Sequence, residues 1–102
     1  MAEHVVGIWQ FRSALIHYVE LAADGDAVFI LRRGTCVARV DSSSVRVAVG
    51  ENRCSPLALS DRVSVAVLRS QTVRYLDRIA SGEVVEVVRG GRPIARISGY
   101  SR

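Results

Sequence analysis

Residues His4 to Val40 align without a gap on Asp61 to Ile97, each position lying 57 residues before its counterpart, and this internal repeat constrains the fold more than any other feature. Eleven pairs are identical: Val6/Val63, Arg12/Arg69, Ser13/Ser70, Tyr18/Tyr75, Ala23/Ala80, Gly25/Gly82, Val28/Val85, Arg32/Arg89, Gly34/Gly91, Ala38/Ala95 and Arg39/Arg96. About three matches would be expected by chance from a composition rich in Val, Ala and Arg. Other pairs exchange like for like, among them Ile8/Val65, Phe11/Leu68, Val19/Leu76, Asp26/Glu83 and Ile30/Val87. The chain therefore reads as an internal duplication. A unit of about 40 residues seldom buries enough surface to fold alone, so each copy is expected to pack on the other.

Each copy carries the same order of signals. His4 to Trp9 (HVVGIW) is apolar and β-branched, and its counterpart Arg62 to Val67 alternates with the period of a half-buried strand. A helix is expected next, because Phe11, Leu15, Tyr18, Val19 and Ala22 recur at steps of three and four residues up to Ala23. Leu68, Thr72, Tyr75, Leu76 and Ile79 fill the same stripe in the second copy. Gly25 and Gly82 stand where the helices should stop. Apolar runs follow, Ala27 to Leu31 and Val84 to Val88; the turns Arg32-Arg33-Gly34-Thr35 and Arg89-Gly90-Gly91-Arg92 then lead into return strands Cys36 to Val40 and Pro93 to Ile97. Pro93 lacks a backbone donor and belongs at a strand start or an edge. Each copy is strand, helix, hairpin.

The expected fold is thus α+β, two tandem strand-helix-hairpin repeats packed as a single-chain pseudo-dimer. Residues 1–41 form the first repeat, 42–61 a linker and 62–102 the second repeat. The linker opens with Ser42-Ser43-Ser44 and passes through Val45 to Val49, which reads equally as a short ordered strand or as an extended connection.

Composition narrows the class. Hydrophobic residues at 49% supply a core, which excludes a disordered tail. No apolar run approaches the roughly 18 residues that span a bilayer, and Met1 to Gln10 lacks the pattern of a signal peptide, so a cytoplasmic protein without membrane contact is expected. Cys36 and Cys54 have no cysteine counterparts, and reduced structural thiols are expected. His4, His17, Cys36 and Cys54 match no metal-site spacing, so no metal or other cofactor is expected. No nucleophile-base arrangement, phosphate loop or carboxylate pair stands out, and the chain does not read as an enzyme. Tyr18 and Tyr75 are read as core residues with a wet hydroxyl, and Trp9 as a core residue or interface anchor.

All fourteen basic residues are Arg, for a net charge of +4. Codon usage in a GC-rich genome is one explanation. Another is that planar guanidinium forks suit phosphate and guanine contacts. A basic balance is compatible with a polyanion partner.

Several of these segments carry a resemblance. Arg12-Ser13-x-Leu15 and Arg69-Ser70, then Gly25-Asp26-x-Val28 and Gly82-Glu83-Val84-Val85, then Arg32-Arg33-Gly34 and Arg89-Gly90-Gly91-Arg92-Pro93-Ile94-Ala95-Arg96, resemble the Phd/YefM antitoxin family. The match covers most of both copies, with GRPIAR its most specific block. That family is α+β, works as a homodimer and binds operator DNA upstream of its own toxin gene. The resemblance implies two copies of its amino-terminal domain in one polypeptide, converting a bimolecular assembly into an intramolecular one with an effective concentration around millimolar.

By residue matching, the family's DNA contacts, an Arg in the first turn of the helix and another at the hairpin, fall on Arg12 and Arg69 and on Arg32 and Arg89. Arg33 and Arg92 flank the latter. The other reading of these arginines is as solvated surface charges or partners of Glu20, Asp77, Asp26 and Glu83. The family's helix cap of Ser or Thr and its Asn after the first-turn Arg are replaced by Trp9 and Ala66 and by Ala14 and Gln71, so about 1 kcal/mol of helix-end stabilisation is missing or supplied otherwise. Ser98 to Arg102 are expected to be too few to wrap a toxin as the family's extension does, so toxin binding is expected to use the linker (Val45, Val47, Val49, Leu57 and Leu59), to use an exposed groove, or to be absent.

Two functions are therefore carried forward. The first is a DNA-binding autorepressor of a type II toxin-antitoxin system, on an approximately palindromic operator, as a monomeric pseudo-dimer or a further homodimer. The second is a protein-binding module that neutralises a toxin or self-assembles without binding DNA.

Overall fold

The computed structural model describes residues 2–42 and 61–100. Along the chain run β1 (Glu3–Gly7), α1 (Ile8–Ser13), α2 (Leu15–Ala23), β2 (Ala27–Arg32), β3 (Thr35–Ser42), β4 (Asp61–Ser64), α3 (Val65–Ser70), α4 (Thr72–Ala80), β5 (Val85–Arg89) and β6 (Arg92–Gly99). The six strands form one mixed sheet in the order β1-β2-β3-β6-β5-β4. β1 is parallel to β2 and β4 to β5, each pair joined through two helices, as a parallel crossover requires. β2 with β3 and β5 with β6 are antiparallel hairpins. At the centre β3 runs antiparallel to β6, with Val40 opposite Ile97 and Ser42 opposite Ala95. The linker readings over Val45 to Val49, and the residues Cys54, Leu57 and Leu59, lie outside the described residues.

Two boundaries differ from those expected. The strands end at Gly7 and Ser64, so Ile8 and Trp9, and Val65 to Val67, are helical rather than extended. β-branched residues favour strands only weakly, and burial decides: Phe11 and Leu68, fully buried from the short helices, set the helical register. The caps are accordingly Gly7 and Ser64, not Trp9 and Ala66. Ser64 supplies the side-chain cap expected to be missing, accepting a hydrogen bond from the Val67 amide at 3.2 Å, whereas Gly7 supplies none.

The helices also break where one continuous helix was expected. Ala14 and Gln71 leave helical geometry at φ −126° and −128°, separating α1 from α2 and α3 from α4. The identical serines serve this break: the Ser13 hydroxyl donates to the Gln10 carbonyl at 3.2 Å and the Ser70 hydroxyl to that of Val67 at 3.0 Å. At their far ends α2 and α4 stop as read. Gly25 and Gly82 take φ of 111° and 115°, and the amides of Asp26 and Glu83 reach back to the carbonyls of Leu21 and Arg78. The hairpin tips Arg33-Gly34 and Gly90-Gly91 all have positive φ, the two-residue turn that matches strand twist. Pro93 sits second in β6, next to the register shift that leaves Ile94 without a partner in β5, and ahead of the ladder with β3, whose register begins at Ala95.

One core unites the described residues. Val6, Phe11, Leu15, Val19, Val28, Ile30, Ala38 and Val40 are buried in the same cluster as Val63, Leu68, Leu76, Val85, Val87, Ala95 and Ile97. Tyr18 and Tyr75 are half-buried against it, as expected. The opposite sheet face is polar and aromatic. Arg39 lies 5.4 Å from the Phe29 ring, while Glu86, only 4% exposed, joins Arg62 at 3.0 Å and Arg96 at 3.6 Å.

Candidate nucleic-acid interface

Eleven arginines can be traced, and they divide into two groups. Arg32, Arg39, Arg62, Arg78, Arg89 and Arg96 are in ion pairs. Arg12, Arg33, Arg69, Arg74 and Arg92 are in none among the described residues, and all five are exposed.

Arg12 and Arg69, far apart in sequence, come together. Each lies in the last turn of its short helix, not the first turn as expected, because the helices begin earlier, at Ile8 and Val65. The Arg12 guanidinium donates to the Arg69 carbonyl at 3.1 Å and lies 5.9 Å from the Trp9 ring. Arg12, Arg69 and Ser70 line one depression with Ile16, Val65 and Ala66. Two cations that pair with no carboxylate among the described residues make a patch of positive potential that a polyanion would relieve.

The hairpin arginines behave differently. Arg32 is paired with Asp77 and Arg89 with Glu20, so each reaches from one half of the sheet to a helix of the other. Glu20 and Asp77 are themselves counterparts, which makes the two pairs reciprocal. For Arg32 or Arg89 to contact a phosphate, a carboxylate must first be released. Arg33 and Arg92, at the hairpin tips, have no ion-pair partner among the described residues. Arg33 holds φ at 56°, the left-handed region that its counterpart Gly90 occupies without strain at 60°.

Compared with protein-family models, with curated proteins and with solved structures, the chain finds no match. The resemblance therefore rests on the motifs alone, and the arginine surface has to be read from its own chemistry.

Trp9 is not a core residue. It is 66% exposed, because Phe11 fills the buried side of the same turn. A shallow groove beside it is lined by Arg12, Ser70, Gln71, Val73 and Arg74. A second groove, sharing Trp9 and Val73, is lined by Gln10, Arg32 and Arg33. Arg74 was missed by matching because its counterpart is His17; its place on α4, off the apolar stripe, was the available signal.

The groups with shifted titration lie away from this patch. Asp26 is held below the ordinary carboxylate range, first by its hydrogen bond with His4 at 2.9 Å and then by the Ala2 amide. In the second half both matching positions are acidic, Asp61 and Glu83, and Arg78 bridges them at 3.2 and 2.7 Å. That raises the Arg78 pKa, Glu83 contributing first. Among the described residues no group of His, Cys, Asp and Glu side chains could hold a metal ion. Among the described residues no helix is long and apolar enough to cross a membrane.

Proposed function

We propose that the chain is a single-chain pseudo-dimer that binds operator DNA as a transcriptional repressor of toxin-antitoxin type, in the cytoplasm. One observation carries this reading: the Arg12 guanidinium lies against the Arg69 carbonyl at the helix breaks, and among the described residues neither arginine is ion-paired, nor are the further exposed cations Arg33, Arg74 and Arg92. An Arg surface of this kind binds phosphates, and it suits a duplex better than an isolated small anion because its charges are spread over three helices and two hairpins. The pseudo-dimer part is supported by the bounds of α1 and α3, α2 and α4, and β3 and β6, each pair 57 residues apart, and by the reciprocal pairs Arg32–Asp77 and Arg89–Glu20.

The test is fluorescence anisotropy of the full chain with duplex DNA from upstream of its own gene at several salt concentrations, beside Arg12→Ala/Arg69→Ala. If these five arginines each neutralise a phosphate, log affinity falls with log salt at a slope of about −4.5, and the double variant makes it shallower by about 1.8. Binding that ignores salt, or that the double variant leaves intact, refutes the reading. Salt-insensitive capture of a co-encoded toxin without DNA binding would favour the protein-binding module instead.

A further inference from the structure

The two halves of the patch are built from matched positions that differ in chemistry. Trp9 has Ala66 as its counterpart 57 residues away, Arg33 has Gly90, Arg74 has His17 and Arg92 has Thr35. Trp9 stands between two adjoining grooves with cations in both, Arg12 and Arg74 in one and Arg32 and Arg33 in the other. The depression at Ala66 contains Arg12 and Arg69 but no aromatic side chain. An exposed indole bordered by guanidinium groups thus occurs on one side only.

The backbone adds an independent sign. Arg33 keeps a left-handed conformation that glycine adopts freely at the matching turn. A side chain kept at a strained position is commonly one with a task.

We propose that the chain engages duplex DNA in a single orientation, on a site without dyad symmetry, with Trp9, Arg33 and Arg74 reading one half and Arg69 and Arg92 holding the other mainly through phosphates. The inference rests on DNA being the ligand. Identical half-sites would offer the indole two equivalent places and use only one; a site with one half suited to apolar contact, such as a thymine methyl, uses both surfaces. The halves of a two-chain dimer cannot diverge in this way, because each substitution there appears twice.

The experiment starts from a pool of duplexes randomised over about 20 base pairs, roughly two helical turns, enriched on the full chain. The expected product is a non-palindromic sequence. Trp9, the lone tryptophan, then serves as energy-transfer donor to an acceptor fluorophore at one end of the enriched duplex or the other. Transfer should favour one end several-fold. Trp9→Ala/Arg33→Gly, its fold checked by circular dichroism, should lose at least about tenfold in affinity for that duplex and cease to distinguish it from one scrambled in the Trp9 half. An enriched palindrome, equal transfer to both ends, or unchanged discrimination by the variant overturns the single orientation while leaving DNA binding in place. No enrichment above the starting pool overturns DNA binding itself, and the orientation with it.

Discussion

Arg33→Gly should stabilise the protein and weaken its binding to DNA, two effects of opposite sign from one substitution. The left-handed conformation of Arg33, with φ at 56°, costs an L-residue about 1–2 kcal/mol. Glycine removes that cost but returns about 0.4–1 kcal/mol through the greater freedom of its unfolded chain. The net gain is about 0.5–1 kcal/mol, which for a domain of this size raises Tm by about 2–6 °C. Loss of one phosphate contact should at the same time make the salt slope shallower by about 0.9. The mirror substitution Gly90→Arg supplies the control. Its φ is 60° and a Cβ there meets nothing within 4 Å, so strain alone acts, and stability should fall by the same amount while the salt slope steepens. Thermal melts and anisotropy titrations on both variants decide the matter. A lower Tm for Arg33→Gly, or stability changes of equal sign in the two variants, would show that the Arg33 side chain holds the turn and that the strain reasoning is wrong.

Three other outcomes are expected. Glu20→Gln with Asp77→Asn releases Arg89 and Arg32 from exposed pairs, costing only about 0.5 kcal/mol each in chemical denaturation while steepening the salt slope of DNA binding by about 1.8; an unchanged slope would mean that these arginines do not reach phosphates. Gly99→Ala places a Cβ 2.8 Å from the Ile79 carbonyl oxygen and should destabilise by about 1–3 kcal/mol, read from the urea midpoint; a neutral result would show that α4 and β6 separate freely there. Asp26, whose folded pKa lies below the ordinary 3.8, contributes stability that is full above that value and is lost as pH falls through the depressed one. Melts of Asp26→Asn and the unaltered chain should therefore differ at pH 6, keep that difference down to about pH 4 and converge only as pH falls further through the depressed folded value; a gap that persists unchanged through that acid range would remove the carboxylate from the account.

Much of the architecture was legible because every signal occurs twice. A lone Gly25 or Arg33-Gly34 is weak evidence, but Gly25 with Gly82, and the two hairpin tips at one spacing, fixed the helix stops and turns. The strand ends were misread at Ile8, Trp9 and Val65 to Val67 because β-branched and aromatic residues look extended until the burial of Phe11 and Leu68 winds them into helix. The breaks at Ala14 and Gln71 carry no Gly or Pro and left no mark. Among the functional candidates, Arg12, Arg69, Arg33 and Arg92 were named from identity or motif, and the acids Glu20 and Asp77 were named as alternative partners. What could not be read was that Arg32 and Arg89 cross to the opposite half, since pairing between halves depends on the central β3–β6 ladder. Trp9 was open between core and interface until its exposure showed which, and Arg74, whose counterpart is His17, carried no signal by matching.

That ladder also sets how the molecule can form. Its partners, such as Val40 and Ile97, are distant in sequence, so the middle of the sheet is its least local part, whereas each hairpin and each parallel crossover closes within a few dozen residues. Closing a loop costs entropy that rises only slowly with length, yet non-local pairing is what retards folding. The outer pairs can assemble quickly and the seam must wait for both. During that wait β3 and β6 expose open edges to neighbouring chains, so the same strands that join the halves are where folding at high concentration goes wrong first, by exchange of a half between molecules.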